Sequence, residues 1–123
     1  VILVDTSVWV DHLRAGNDAL RQLLDSGQVL GHPFITGELA LGNLRQRRLI
    51  LGALRHLPRA AVASDQEVLH FIERQALSGI GIGYIDAHLL AAVRLTSDAR
   101  LWTGDRRLRA VAVRLDLAMA PPP

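Results

Sequence analysis

The chain has 123 residues, 50% of them hydrophobic and 21% charged, and it contains no cysteine. That length suits one domain and the balance is globular rather than disordered, while a disulfide framework, Cys-ligated zinc and a Cys nucleophile are excluded. The formal charge is +2 and all 14 basic residues are Arg, so chemistry that needs a lysine is excluded as well.

Val1-Ile2-Leu3-Val4 is a short apolar run that meets an acid at Asp5. It reads as a central parallel strand and lacks the basic region of a leader. No apolar run approaches the ~20 residues that cross a bilayer, so a cytoplasmic protein without a membrane partner is expected. Ser7 is predicted to cap a helix running through Trp9 and Leu13 and stopping near Gly16. Asn17 or Asp18 caps a second helix, with Leu20, Leu23 and Leu24 at helical spacing and Gly27 as its stop. Gln28–Gly31 reads as a second strand closed by His32-Pro33. Thr36 opens a longer helical stretch that leads into Arg45-Gln46-Arg47-Arg48. A helix carrying Leu49, Ile50, Leu54 and Leu57 ends before Pro58, and Ala60–Ala63 is predicted as a third strand.

Ser64-Asp65-Gln66-Glu67 is a capping box and predicts a helix over 65–77. Gly79, Gly81 and Gly83 form a loop feeding a helix from Tyr84 to Leu95. Leu101–Thr103 is a strand broken by Gly104-Asp105; an Arg-rich helix follows to about Leu115, and Ala118-Met119 adds an edge strand. Strands alternating with helices imply an α/β fold, a parallel sheet covered by helices on both faces. No repeat or linker interrupts it, so residues 1–120 form a single domain and Pro121–Pro123 a tail.

Ligands of an open parallel sheet bind beyond the carboxyl ends of its strands. Asp5 ends the first strand, Asp105 follows the Leu101–Thr103 strand within two residues, and Asp86 and Glu38 are placed in first turns of helices. Asp5, Glu38 and Asp86 have apolar neighbours. Carboxylates forced together raise one another's pKa unless a counter-charge is present, and here that must be Arg or a cation. Hard oxygen ligands without thiols select Mg²⁺ or Mn²⁺ over zinc. Thr6, Ser7 and Thr103 place small hydroxyls beside Asp5 and Asp105, suited to a metal-bound water or a phosphate oxygen. The plainer reading stands beside this one, since acids in first turns stabilise helices through the macrodipole.

The ordered set Asp5-Thr6-Ser7, Gly37-Glu38-Leu39 after His32-Pro33, Asp86-Ala87 at a helix start, and Leu101-Trp102-Thr103-Gly104-Asp105 resembles the PIN-domain ribonucleases, above all the VapC toxins of bacterial type II toxin–antitoxin pairs. The resemblance runs from Val1 to about Leu117. It implies a PIN-like three-layer sandwich with a five-stranded parallel sheet. It also implies one or two Mg²⁺ or Mn²⁺ ions held by Asp5, Glu38, Asp86 and Asp105. The activity implied is endoribonuclease hydrolysis of tRNA or rRNA by a metal-activated water, leaving a 5′-phosphate and a 3′-hydroxyl. The partners implied are the RNA substrate, a cognate VapB-type antitoxin and a second copy in a homodimer.

With the four acids set aside, Arg outnumbers the remaining acids, which suits a polyanion delivered to a cation. Arg45, Arg47 and Arg48 follow Glu38, and Arg106, Arg107 and Arg109 follow Asp105; these are the candidate RNA-phosphate contacts, a solvated helix face being the plainer account of any one of them. Five aromatics are too few for a base-stacking platform, so backbone and shape would be read instead. The five histidines are read first as structural. A Ser-His-Asp device on Ser7 lacks the Gly-x-Ser-x-Gly elbow. A receiver domain and a haloacid-dehalogenase-type phosphatase both need a lysine, which is absent. The remaining rival is a non-catalytic PIN-fold module that binds RNA or protein; the presence of all four acids argues against it.

Overall fold

The computed structural model describes residues 1–120, and the predicted tail at Pro121–Pro123 lies outside them. In chain order the elements are β1 (Ile2–Val4), α1 (Thr6–Ala15), α2 (Asp18–Asp25), β2 (Val29–Leu30), α3 (Pro33–Ala40), α4 (Arg47–Arg55), α5 (Asp65–Arg74), α6 (Tyr84–Leu95), β3 (Arg100–Trp102) and α7 (Arg106–Arg114).

The sheet is parallel with order β2-β1-β3. Ile2 lies opposite Val29 on one side and Arg100 on the other, so β1 is central. Leu3 and Val4 are accordingly sealed from solvent. A strand buried on both faces has no polar side to show, which is why the N-terminal run is uniformly apolar. The chain leaves β1 towards β2 and later returns past it to β3. The strand order therefore reverses at β1, and its carboxyl end is the switch point where such sheets bind ligands.

Three strands replace the expected five. The Ala60–Ala63 segment makes no strand; just before it, Arg59 forms a single parallel bridge with Gly31. At the other edge Ala118 forms a single parallel bridge with Leu101. Each outer segment is thus held by one residue. Pro58 can accept from Gly31 N but has no N–H of its own with which to extend the ladder. Helix α5 stops at Arg74 rather than 77, and β3 begins one residue earlier than predicted.

Helix α6 carries the core. Ala87 to Val93 are all buried, as befits a helix that is apolar around its circumference. It packs against α5 and β3. Leu20, Val68, Leu101 and Leu108 complete the sealed interior from the surrounding elements. Among the described residues no helix is long and apolar enough to cross a membrane.

Candidate active site

Asp5 is the residue that ends β1 and begins α1. Its Oδ1 accepts from Thr6 N at 2.8 Å, so Asp5 caps the helix, not Ser7 as the sequence suggested. Ser7 is turned to another task. Its hydroxyl donates to Asp5 Oδ2 at 3.1 Å and accepts from Gly104 N at 3.0 Å. Thr103 donates to the same Asp5 Oδ2 at 2.7 Å, and its oxygen accepts from Asp105 N at 3.0 Å. Two hydroxyls thus splice the end of β1 to the turn after β3, across almost the full length of the chain. Asp5 and Thr103 are both buried, so the bond between them is shielded from competing water.

Asp105 caps α7, its Oδ1 accepting from Leu108 N at 3.0 Å. Asp86 lies in the first turn of α6 and its Oδ2 accepts from Gly83 N at 3.1 Å. Three helix N-termini, each with a positive end, therefore carry three of the four carboxylates. Glu38 differs. Helix α3 begins at Pro33 and not at Thr36, so Glu38 lies in the second turn and the macrodipole does not explain it. The cap is His32, whose Nδ1 accepts from Phe34 N at 3.1 Å; Pro33 as first helical residue was the sequence signal for that start. Glu38 is exposed, and the Thr6 hydroxyl donates to its Oε1 at 2.7 Å. All three predicted hydroxyls are engaged with the carboxylates themselves or with the turn beside them.

The four acids share one electrostatic neighbourhood. Burial pushes the Asp86 carboxyl above its ordinary range, the Gly83 N–H draws it partly back, and the charges of Asp5, Asp105 and Glu38 push it up again. None of the four is in an ion pair among the described residues. No three His, Asp or Glu side chains among those residues close into a ready-made metal-binding group. Each carboxylate is instead occupied by a local N–H or O–H. The donor chemistry nonetheless fits a hard divalent cation: oxygen donors only, in mutual repulsion, with no arginine paired to them.

The six candidate arginines are all exposed. Arg47 is turned back on its own element and donates to the carbonyls of Ala40 and Gly42. Arg107 lies against the glycine loop. A Cβ on Gly81, whose φ is +87°, would come within 2.7 Å of Arg107 Nη1, so glycine serves both the left-handed backbone and the arginine above it. Arg45, Arg48, Arg106 and Arg109 form no ion pair among the described residues.

Sequence reading missed a second cluster behind the acids. His32 and His88 are sealed from solvent, at 0% and 1% exposure. Phe34 stands edge-on to both, with ring centres 5.3 Å from His32 and 4.7 Å from His88. Burial pushes the His32 imidazole down to about 4, and the charges of His88 and Arg59 act in the same direction. His32 is therefore neutral near pH 7, which leaves Nδ1 free to accept from Phe34 N.

A family model described as PIN domain matches residues 2–114. Two curated relatives from strains of Mycobacterium tuberculosis, each named Ribonuclease VapC32, are 44% identical to the chain over 120 residues. In both cases the match covers 98% of this chain and 97% of the relative.

Proposed function

The chain belongs to the PIN domain family, and from that premise we propose that it is a metal-dependent endoribonuclease of the VapC kind, the toxin of a VapBC-type toxin–antitoxin pair. Its substrate is RNA, with tRNA or rRNA the class expected. The single observation that carries this reading is the gathering of Asp5, Glu38, Asp86 and Asp105 into one neighbourhood, with Thr6, Ser7 and Thr103 tying Asp5, Glu38 and the Asp105 turn together and no protein cation paired to any of the four.

Asp5, Glu38, Asp86 and Asp105 would hold one or two Mg²⁺ or Mn²⁺ ions. When bound, a divalent ion supplies a water of lowered pKa and screens the charge of a phosphodiester. The chain's own residues do the positioning. Thr103 and Ser7 hold Asp5 Oδ2 from two sides, so that carboxylate cannot swing. Thr6 holds Glu38, the one acid on an exposed helix face. Arg107, Arg106, Arg109, Arg45 and Arg48 supply unpaired positive charge for RNA phosphates, and Arg47 contributes less because it is spent on the end of α3. A VapB-type antitoxin, a homodimer and a cytoplasmic location complete the proposal.

The decisive experiment uses purified protein, total RNA and EDTA. Cleavage stops on chelation and returns with Mn²⁺ or Mg²⁺, and sequencing of the new 5′-phosphate ends identifies the target. Cleavage that persists without metal overturns the assignment. Sedimentation checks the dimer, and a monomer at micromolar concentration counts against it.

A further inference from the structure

We propose that Asp65, an exposed carboxylate outside the four acids, is a positioning residue that acts through Tyr84 and His88 to set where Asp86 stands. The inference rests on the nuclease reading above only for what Asp86 does there.

Asp65 opens α5, and its Oδ1 faces α6 twice. The Tyr84 hydroxyl donates to it at 3.2 Å, and His88 Nε2 lies 3.6 Å away. Tyr84 and His88 are four residues apart on α6, hence on one face and in successive turns, with ring centres 4.7 Å apart at right angles. Asp86 lies between them in sequence and projects from the other side of the helix. Asp65 therefore grips the first turn of α6 from behind the acid.

His88 shows that the grip is more than packing. It is sealed from solvent, yet neither ring nitrogen has a hydrogen-bond partner among the described residues. A buried polar group left so is destabilising. A phenylalanine would fill the same space without that cost, so stability alone does not account for an imidazole here. The Asp65 carboxylate, 3.6 Å from its Nε2, is the polar group that an imidazole meets here and a phenylalanine could not. On its far side His88 meets Phe34, one turn before Glu38 on α3. The ring thus stands where α6 meets the first turn of α3, the helix that carries Glu38.

The test compares Asp65→Ala and Asp65→Asn with the parent, all metal-free and well below their melting temperatures. Mn²⁺ binding is followed by the paramagnetic resonance of free Mn²⁺, and amide hydrogen exchange is read over the first turn of α6. Asp65 is exposed and its loss leaves the fold intact, so circular dichroism stays that of the parent. Asp65→Ala is expected to weaken Mn²⁺ binding about tenfold, the scale of lost outer contacts to metal ligands, and to speed exchange at Ala87 and His88. Asp65→Asn still accepts from Tyr84 and restores both. Parent-like Mn²⁺ binding together with parent-like exchange in Asp65→Ala overturns the proposal. If the parent itself binds no Mn²⁺, the metal reading falls, and the exchange at Ala87 and His88 decides this inference by itself.

Discussion

The hydroxyl of Thr103 lies 2.7 Å from Asp5 Oδ2 and its oxygen takes the N–H of Asp105 at 3.0 Å, so one buried side chain ties together two acids that are 100 residues apart. Replacing it with valine keeps the shape and removes both bonds. Thr103→Val should cost about 1–3 kcal/mol of stability, because Asp5 and the Asp105 amide lose a partner in a buried place. RNA cleavage should fall with it, and Thr103→Ser should recover most of both. Thermal melts and a cleavage assay on the two variants check this; a fully active and stable valine variant would contradict it.

Asp5→Asn separates chemistry from fold. Asparagine still offers an oxygen to Thr6 N, so α1 keeps its start, while its N–H₂ replaces the oxygen that accepts from Ser7 and Thr103 and both hydroxyls must turn to accept; the fold stays and the melt falls modestly. The negative charge is gone, and cleavage should drop by about a hundredfold or more, as expected when several kcal/mol of charge stabilisation is removed. Parent-level cleavage by this variant would take Asp5 out of the mechanism.

Asp86→Asn makes the opposite prediction for stability. The Asp86 carboxyl is held above its ordinary range by burial and by three like charges. Its contribution to stability is present at low pH and is lost as pH rises through the raised pKa. Near neutral pH the metal-free asparagine variant should therefore melt higher than the parent while cleaving RNA far more slowly. Calorimetry without metal and a cleavage assay with Mn²⁺ read the two effects. A variant that melts lower than the parent would mean that the crowding of charge is not felt.

His32 predicts an acid-side loss of stability. Its folded pKa is about 4, below the ordinary 6.5, so between those values the unfolded chain binds a proton that the folded chain refuses. The stabilisation is complete above about pH 6.5, falls by about 3 kcal/mol as pH drops through 4, and falls no further from this cause well below that. His12, also pushed down by burial and by Arg21, works in the same direction. Urea titrations from pH 7 to 4 measure the slope. His32→Asn keeps an acceptor for Phe34 N and should flatten it; an unchanged slope would remove His32 as the cause.

Much of this molecule can be read from local pattern. The Ser64–Glu67 capping box, the glycine stop at Gly16 and the span of α6 from Tyr84 to Leu95 stand as expected, because the interactions that decide them lie within four or five residues. The contacts of Asp65 could not be read so. Asp65, Tyr84 and His88 each look ordinary in their own helices, and only the packing of α5 on α6 brings them face to face.

By itself the amino-acid sequence determined the α/β alternation, the buried central strand and the presence of acids beside strand ends and helix starts. Only the tertiary structure decided which neighbour caps α1, where α3 begins and how many strands the sheet has. Asp5 takes the cap with its own Oδ1, while the Ser7 oxygen is engaged by Gly104, 97 residues away. The outer lanes shrink to single bridges because a strand is completed by its neighbour's hydrogen bonds and not by its own residues. A partner far along the chain leaves no trace in local periodicity, and its effect is felt only once the backbone has brought it near.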